Sequence, residues 1–331
     1  MSATSATTER SLLDAVLGGD EDAFGRLVEP YQGELHAHCY RMLGSGHDAE
    51  DALQDMLLRA WRSLAGFEPG RPLRPWLYKI ATNACLDVIA RRPRHQLPDD
   101  DRPPVWVEPY PDDLLGIEDG RFAPEARYER REAVELAFIV ALQHLPDRQR
   151  AVLILREVLG FSASEVADCL DTTTASVNSA LQRARKVIAG RLPQRSQQAT
   201  LRSLGDRRIR LVVERFTDAF ESGDVEAILA LLSPDATFAM PPHEGWYRGH
   251  DAVADSWLIP TGPSPDLRYV PVRASGQLAF GAYLLDAERD AYLPLALDVV
   301  TLEGTLITAI TAFRLPDLFP RFGLPTVLPF G

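Results

Sequence analysis

The stretch SASEVADCLDTTTASVNSALQRARK, from Ser162 to Lys186, contains two helical patterns separated by a short break. Ser162 and Glu165 form a capping-box pattern that predicts the start of a short helix, SEVADCL. Asp171 and three threonines then interrupt the periodicity. A last helix is expected from about Thr174 to Ala189. A short helix, a tight turn and a longer helix are the parts of a helix-turn-helix, which favours DNA binding.

The last helix of this stretch has an apolar side and a polar side. Its apolar residues recur four, three and four positions apart and form one stripe, namely Val177, Leu181, Ala184 and Ile188. At ~100° per residue, the opposite face carries Ser179, Gln182, Arg183 and Lys186, with Ser176 at its leading edge. The two cations suit phosphates, and the amide and hydroxyls suit base edges. A solvated cationic face on any bundle helix is the alternative, and the preceding capped helix and tight break favour the helix-turn-helix.

The cationic segment stands out because the chain as a whole is acidic. The 331 residues carry a formal net charge of −12, yet Thr172 to Gly205 contains six basic residues and no acid. The length suits two or three domains. The chain contains no apolar run long enough for a membrane span and no secretory pattern at its N-terminus. Cys39, Cys85 and Cys169 lie far apart, so we expect a cytoplasmic protein without a disulfide framework, metal site or cofactor.

A second helical region precedes this one and shows two informative helices. The sequence DAEDALQDMLLRAWRSL, Asp48 to Leu64, gathers its polar residues Glu50, Asp51, Gln54 and Asp55 on one face. Acids there suit the helix dipole, and they also suit a basic protein partner. A later helix is expected from Trp76 to about Arg92. In it Trp76, Ile80, Ala84 and Val88 are predicted to point inward, Lys79 and Asn83 are polar, and Arg91 and Arg92 end the helix.

The pattern along the chain predicts five segments. Helices occupy residues 10–95 and 125–192, and an acidic, proline-rich linker occupies 96–124. From Asp99 to Asp119 that linker has eight acids against one arginine, namely Asp99, Asp100, Asp101, Glu108, Asp112, Asp113, Glu118 and Asp119 against Arg102. A polar linker, 193–206, leads to an α+β segment, 207–331, which begins with helices and continues with alternating strands.

The two helical regions together resemble the extracytoplasmic-function sigma factors of the sigma-70 superfamily. The motifs that carry the resemblance are DAEDALQDMLLRAW and RPWLYKIATNACLD in the first region, and LPDRQRAVLILREVLGFSASEVADCL with SVNSALQRAR in the second. The insertion WVEPYPD and the extra C-terminal segment resemble a subgroup with an added SnoaL-like domain. The implied fold is multidomain: a helical region-2 bundle, a helix-turn-helix region-4 domain and a C-terminal α+β cone of the SnoaL-like, ketosteroid-isomerase-like type.

The resemblance also implies a role for each surface. The face of Glu50, Asp51, Gln54 and Asp55 would dock on the clamp of core RNA polymerase. Lys79, Asn83, Arg91 and Arg92 would open and read the −10 element of promoter DNA, and the face from Ser176 to Lys186 would read the −35 element. The acidic linker would thread into polymerase channels that hold nucleic acid. A disordered acidic spacer is the alternative for the linker.

The C-terminal segment resembles the SnoaL-like fold in the order of its elements and in the stretch DATFAMPP with WYRG. That fold leaves a cavity at its mouth. Its candidate lining residues are His243, Trp246, Tyr247, Tyr283 and Asp298. Catalysis requires geometry and a tuned pKa that are not visible in the sequence, and the resemblance carries no catalytic set. We therefore expect a regulatory dock or a pocket for an unidentified small ligand, with no enzymatic activity.

The leading hypothesis is therefore a promoter-specific initiation factor controlled in cis by contact of the C-terminal domain with the sigma domains, and its apolar tail FRLPDLFPRFGLPTVLPFG would reach a neighbouring domain. Two alternatives stay open. One is a SnoaL-type enzyme or ligand sensor fused to a DNA-binding helix-turn-helix. The other is a one-component repressor that binds operator DNA without polymerase.

Overall fold

The structure is a computed structural model that describes residues 3–68, 70–91, 107–115, 132–241, 246–254 and 266–330. The chain divides into two compact units. The helical unit combines residues 1–97 with 139–192, and the C-terminal unit combines residues 98–138 with 193–331. The segment between the two helical regions is thus part of the C-terminal unit rather than of the helices that it connects.

The helical unit contains the following helices: α1 (Ala3–Leu17), α2 (Glu21–Leu43), α3 (Gly46–Ser63), α4 (Leu73–Arg91), α5 (Leu136–Gln143, whose first turn belongs to the C-terminal unit), α6 (Asp147–Leu153, continued by a π-helical turn Ile154–Val158), α7 (Ala163–Cys169) and α8 (Thr174–Ala189). Local chemistry fixes several ends. Asp20 accepts a hydrogen bond from the Ala23 amide, and Ser45 accepts one from Asp48. Gly44 ends α2 with φ of 73°, a conformation that favours glycine. Among the described residues no helix is both long and apolar enough to cross a membrane.

The buried face of α4 differs from the predicted stripe. Ala84 is buried as predicted, but Trp76, Ile80 and Val88 are only half-buried. The buried positions are instead Leu73, Leu77, Tyr78, Ala81, Thr82, Ala84 and Cys85. The polar residue Thr82 enters this face because it has a partner there. The Thr82 hydroxyl lies 2.9 Å from His38 Nε2, and burial lowers the pKa of His38 to about 3, which keeps the imidazole neutral.

The C-terminal unit is an α+β fold, as predicted. Its helices are α9 (Gln197–Ser222), α10 (Val225–Leu231) and α11 (His250–Ala254), and its strands are β1 (Leu232–Ala239), β2 (Trp246–Arg248), β3 (Leu267–Ala274), β4 (Gln277–Asp286), β5 (Ala291–Glu303), β6 (Leu306–Phe313) and β7 (Leu328–Pro329). The strand order is β2-β1-β6-β5-β4-β3, with β7 paired to β5. The β1–β6 pair is parallel, and the other pairs are antiparallel.

Both faces of this sheet are covered. The helix-covered face packs against α9 to α11, and the tail-covered face packs against a 3₁₀ helix, Pro316–Phe322, and the residues after it. The apolar tail therefore packs on its own sheet, and the expectation that it also reaches a neighbouring domain stays a prediction. Gly281 permits the close approach, because a Cβ there would lie 2.7 Å from Leu324 Cδ1.

The polar segment predicted as a linker over residues 193–206 is largely helical. Helix α9 begins at Gln197, and Leu201 and Leu204 are buried in the core of the helix-covered face. The helical path is interrupted at Gly205, which has φ of 70° and ψ of 162°. The sequence predicts only a linker here because Leu201 and Leu204 precede a glycine, which interrupts the helical periodicity.

Candidate nucleic-acid interface

Helix α8 presents a polar face to solvent. Thr173 caps the helix by accepting a hydrogen bond from the Ser176 amide at 3.2 Å, and the capping box between Ser162 and Glu165 starts α7. The predicted stripe is confirmed, since Val177, Leu181, Ala184 and Ile188 are all buried. The residues of this helix that were predicted to meet DNA are all exposed, namely Ser176, Ser179, Gln182, Arg183 and Lys186.

The cations of α8 are not equivalent. Arg185 lies 2.6 Å from Glu157 in an ion pair. Arg183 and Lys186 make no ion pair with any described residue, so their charge remains available for phosphate. The face thus combines two cations, one amide and two hydroxyls, and these are the groups that position a helix on DNA and read base edges.

Lys79 of α4, a predicted DNA contact, binds instead to the turn of the helix-turn-helix. Its Nζ lies 2.6 Å from Asp171 Oδ1 and donates a 2.9 Å hydrogen bond to the Asp168 carbonyl oxygen. Asn83 is half-buried and Arg91 is exposed. Arg92 lies outside the described residues. The structure therefore brings together a cation of the first helical region and the turn of the second. The hydrophobic periodicity of neither region predicts this contact.

Buried and half-buried arginines extend this contact between the two helical regions. The Arg74 guanidinium lies 5.0 Å from the ring centre of Tyr78 and 4.8 Å from that of Phe161, and it pairs with Glu34 at 3.1 Å. Arg150, buried in the second region, donates to the Met42 carbonyl oxygen in the first region. These cation–π and hydrogen-bond contacts keep α4 and the helix-turn-helix side by side.

The acidic face of α3 is mostly accessible. Glu50, Asp51 and Gln54 are exposed. Asp55 is half-buried because it pairs with Arg59 at 2.7 Å. Arg59 is also bound to Asp87 of α4 at 2.6 Å, so Asp55 belongs in part to the internal packing of the bundle.

Part of the acidic linker is docked on the C-terminal sheet. The amide of Tyr110 donates to Ser275 Oγ at 2.9 Å, and the Ser275 amide donates back to the Tyr110 carbonyl oxygen at 2.7 Å. The Gly276 amide donates to Asp112 Oδ1 at 2.7 Å. Val107, Tyr110 and Asp112 are buried. The alternative of a disordered spacer is therefore wrong for residues 107–112, and the rest of the linker except residues 113–115 lies outside the described residues.

The same hairpin turn between β3 and β4, residues 274–277, also binds the start of α5. The Leu136 amide donates to Gln277 Oε1 at 3.1 Å. The neighbouring carboxyl group of Glu135 accepts hydrogen bonds from the amides of Gln197 and Gln198 at 2.9 and 2.8 Å, at the start of α9. Burial raises the pKa of Glu135 to about 7, and these two amides oppose the rise.

The five predicted cavity residues do not share one surface. Asp298 is buried beside the core of the helix-covered face, and Tyr247 packs against that core. Tyr283 belongs to the core of the tail-covered face, where its hydroxyl donates to the Pro325 carbonyl oxygen at 2.8 Å. Its assignment to the same cavity as Asp298 is therefore wrong. His243 and the side chain of Trp246 lie outside the described residues.

Comparison with known families divides the chain in the same way. A family described as "Sigma-70 region 2" matches residues 27–95, one described as "Sigma-70, region 4" matches residues 135–188, and one described as "SnoaL-like domain" matches residues 213–315. The three matches follow one another in the predicted order.

Individual relatives extend this picture. The chain is 39% identical over 321 residues to the ECF RNA polymerase sigma factor SigG of Mycobacterium tuberculosis, covering 92% of this chain and 85% of that protein. It is 30% identical over 182 residues to the ECF RNA polymerase sigma factor SigW of Bacillus subtilis, covering 53% of this chain and 91% of that protein. The crystal structure of the M. tuberculosis extracytoplasmic function sigma factor SigJ has the same fold, with a TM-score of 0.57 at 23% identity over 90% of this chain and 99% of that one.

Proposed function

The chain belongs to the extracytoplasmic-function sigma factors of RNA polymerase, and we propose that it directs the core enzyme to promoters through α8, α4 and the acidic face of α3. Its role is transcription initiation. The observation that carries the proposal is the exposed face of α8, where Arg183 and Lys186 lie beside Gln182 and Ser179 without an ion pair to any described residue. Such a face serves phosphate contact and base recognition at once.

The acidic face of α3 supports a second contact, with the polymerase clamp. Glu50, Asp51 and Gln54 are exposed on one side of a helix whose other side is buried. An acidic patch of this kind complements a basic protein surface and accelerates association through long-range attraction. This contact supplies affinity that a chain with a net charge of −12 cannot obtain from DNA alone.

The packing within the helical unit corresponds to a form that does not read both promoter elements. Two elements about 25 base pairs apart are separated by about 85 Å of duplex, at ~3.4 Å per base pair. In the structure, Lys79 Nζ lies 2.6 Å from Asp171 at the helix-turn-helix. The two helical regions must therefore separate before α4 and α8 occupy their two elements together.

We further infer that the C-terminal domain controls initiation in cis by holding the linker. The hairpin turn binds the linker through Tyr110 and Asp112, and it binds the chain beyond the linker through Leu136 at the start of α5. A linker fixed at both places cannot extend between separated helical regions or enter a polymerase channel. Release of the linker from the hairpin turn is then a step towards the active form.

The first experiment is in vitro transcription with purified core polymerase on genomic DNA, followed by mapping of start sites. We expect new start sites that share two sequence elements and that disappear when Arg183 and Lys186 are both replaced by alanine. Tight operator binding by the isolated protein without any new transcript would instead support a repressor. An enzyme with a DNA-binding appendage would likewise start no transcripts.

The second experiment tests the linker. Asp112→Ala removes the acceptor of the Gly276 amide, and Asp112→Asn retains a carbonyl oxygen at that position. We expect the alanine variant to initiate several-fold more transcripts than the parent chain, and the asparagine variant to resemble the parent. Equal activity of all three proteins would exclude control through this turn and leave promoter recognition untouched.

A further inference from the structure

The excess of cations in α8 continues into the first half of α9. From Arg183 to Arg210 there are nine basic residues and a single acid, Asp206, in a chain whose net charge is −12. Arg185 and Arg202 have acidic partners within the protein. Three further arginines lie within four positions of one another in α9 and form what we call the arginine cluster, namely Arg207, Arg208 and Arg210.

The arginine cluster lies at the surface, and the protein does not neutralise its charges. All three side chains are exposed. None of them forms an ion pair or a side-chain hydrogen bond with any residue that the structure describes. Arg207 lies nine positions before the buried Phe216, so at ~100° per residue it is on the side of α9 that faces away from the sheet. The three guanidinium groups are therefore available to an external partner.

The position of the cluster is unfavourable for the helix itself. Gly205 has φ of 70° and ψ of 162° and interrupts α9, so Arg207 and Arg208 lie in the first turn after the interruption. The amide end of a helix carries partial positive charge, which disfavours cations there. Residues that break a local rule without a compensating contact are expected mainly at functional sites. The placement therefore indicates a role in binding and not in packing.

The chemistry of the cluster suits phosphate groups. An arginine side chain presents several N–H donors in a planar arrangement that matches two phosphate oxygens, and its charge is only weakly hydrated. Arg207 and Arg210 are ~4.5 Å apart along the helix axis, at ~1.5 Å per residue. Long side chains at this spacing can reach neighbouring phosphates of one strand. Contacts of this kind hold DNA without reading its sequence.

The distance along the chain from α8 selects DNA as the polyanion. Only seven residues, 190–196, separate the end of α8 from the start of α9. Such a segment spans at most about 30 Å, and Arg207 lies about 15 Å further along α9. When α8 occupies the −35 element, the cluster is thus tethered within about 45 Å of it, or roughly 13 base pairs of duplex.

We propose that the arginine cluster of α9 binds the phosphate backbone of the duplex that flanks the −35 element, which gives the C-terminal domain a direct part in holding promoter DNA. This contact rests on the proposed promoter recognition by α8. Asp206 and Glu214 flank the cluster and are exposed, so they limit its net positive charge. The cluster therefore binds only DNA that α8 has already brought close.

The test uses the holoenzyme reconstituted with the full chain and a promoter duplex identified by start-site mapping. Affinity is measured by fluorescence anisotropy at several salt concentrations. The variant with Arg207→Ala, Arg208→Ala and Arg210→Ala should bind roughly tenfold more weakly at low salt, and its slope of log affinity against log salt should be smaller by about 2 to 3. We call it the triple variant.

A matched control removes three other exposed arginines of the C-terminal unit, through Arg248→Ala, Arg289→Ala and Arg321→Ala. It changes the net charge by the same amount, and its salt slope should differ from that of the parent chain by less than about 1. Both sets of variants are first matched to the parent by circular dichroism and thermal unfolding.

Two further measurements locate the contact. Duplexes with a single neutral methylphosphonate on either side of the −35 element should bind the parent chain more weakly at particular flanking positions, and those positions should not affect the triple variant. Glu214→Gln removes an acid two turns after Arg207 and should strengthen binding about two- to threefold, because it raises the positive charge near the cluster. The same substitution in the triple variant should have no such effect.

Four results would contradict the proposal. Equal affinity and salt slope for the parent and the triple variant would overturn it, and a remaining loss with Arg183→Ala would show that promoter recognition by α8 still holds. An equal loss with the control variant would attribute the effect to net charge. Weaker binding of the triple variant to core polymerase without DNA would assign the cluster to a protein contact. Absence of new start sites with the parent chain would instead refute the proposed function on which this contact rests.

Discussion

At the scale of single residues, the proposed DNA contact of α8 combines charged side chains with side chains that can hydrogen-bond to bases. Arg183 and Lys186 supply cations, and Gln182 supplies a donor and an acceptor on the same exposed face. Because phosphate contacts are independent of sequence and base contacts are not, the two kinds of residue are separable by measurement.

We predict that Arg183→Ala weakens binding of the reconstituted holoenzyme to all promoters by a similar factor and lowers the slope of log affinity against log salt by about 1. Gln182→Ala should instead change the preference at one base pair, by ~1–3 kcal/mol. Fluorescence anisotropy with a panel of single-base promoter variants, at several salt concentrations, measures both. Arg185→Ala is the matched control, since Arg185 is already paired with Glu157 and should have the smaller effect on the salt slope.

At the same scale, Asp298 should make folding stability depend on pH. Burial raises its pKa from an ordinary 3.8 to about 7. Between these values the native state keeps a proton that the unfolded chain releases, so this contribution to the free energy of unfolding decreases as pH rises, by up to roughly 4 kcal/mol. Glu135, whose pKa is also raised to about 7 by burial, contributes a slope of the same sign.

Urea unfolding of the parent chain and Asp298→Asn between pH 5 and 8 measures this effect. The stability of the parent relative to the variant should decrease with rising pH, because asparagine does not titrate, while the part due to Glu135 remains in both. Asp290→Asn, at an exposed turn, should give a curve parallel to that of the parent. A constant difference between the parent and Asp298→Asn would show that Asp298 titrates alike in both states.

At the scale of the element, strand β4 and the tail depend on each other through one glycine. A Cβ on Gly281 would lie 2.7 Å from Leu324 Cδ1 and 3.2 Å from Phe319 Cε1. We predict that Gly281→Ala destabilises the protein by ~1–3 kcal/mol through overpacking, and that Leu324→Ala costs ~2–5 kcal/mol through the space it leaves.

The double variant should be less destabilised than the sum of the two single variants, because the smaller residue at 324 makes room for the new methyl group. A double-mutant cycle from urea unfolding gives this coupling. Additive effects would mean that the tail moves away from the strand as a whole.

The helix-turn-helix was predictable because its signals are local. The capping box at Ser162, the stripe from Val177 to Ile188 and the bounds of α8 all follow from neighbours within a few residues. The buried face of α4 was mispredicted because Thr82 is buried through a partner, His38, that lies 44 positions away.

Features that depend on the pairing of residues far apart in the chain could not be predicted from the sequence. Tyr283 and Asp298 lie on opposite faces of one sheet, and only the register of β4 with β5 decides this. The docking of residues 107–112 could not be predicted, because an acidic, proline-rich composition is typical of disordered chains. The burial of this segment depends on hydrogen bonds to a turn more than 160 positions later in the chain.

At the scale of the whole molecule, the contact between Lys79 and Asp171 should bias the helical unit towards its compact form. Asp171 has φ of 48°, a conformation that asparagine also tolerates. We therefore predict that Asp171→Asn raises the population of separated helical regions by up to about fivefold, because exposed ion pairs contribute ~0–1 kcal/mol.

Energy transfer between dyes on α2 and α8 of the free protein measures this population. Asp168→Asn is the control, since Lys79 binds only the carbonyl oxygen of that residue, and it should leave the distance distribution unchanged. Equal shifts in both variants would attribute the effect to net charge and not to the contact with Lys79.

The bonds between Tyr110 and Ser275 join residues 165 positions apart. On the ribosome, Tyr110 is made before its partner, and at ~5–20 residues per second the delay is roughly 8–33 s. Once residue 192 is made, and until residue 277 is made, a nascent chain contains both helical regions but has no hairpin turn to bind the linker. The linker can therefore bind the hairpin turn only after the turn has been synthesised, and shorter nascent chains lack this contact.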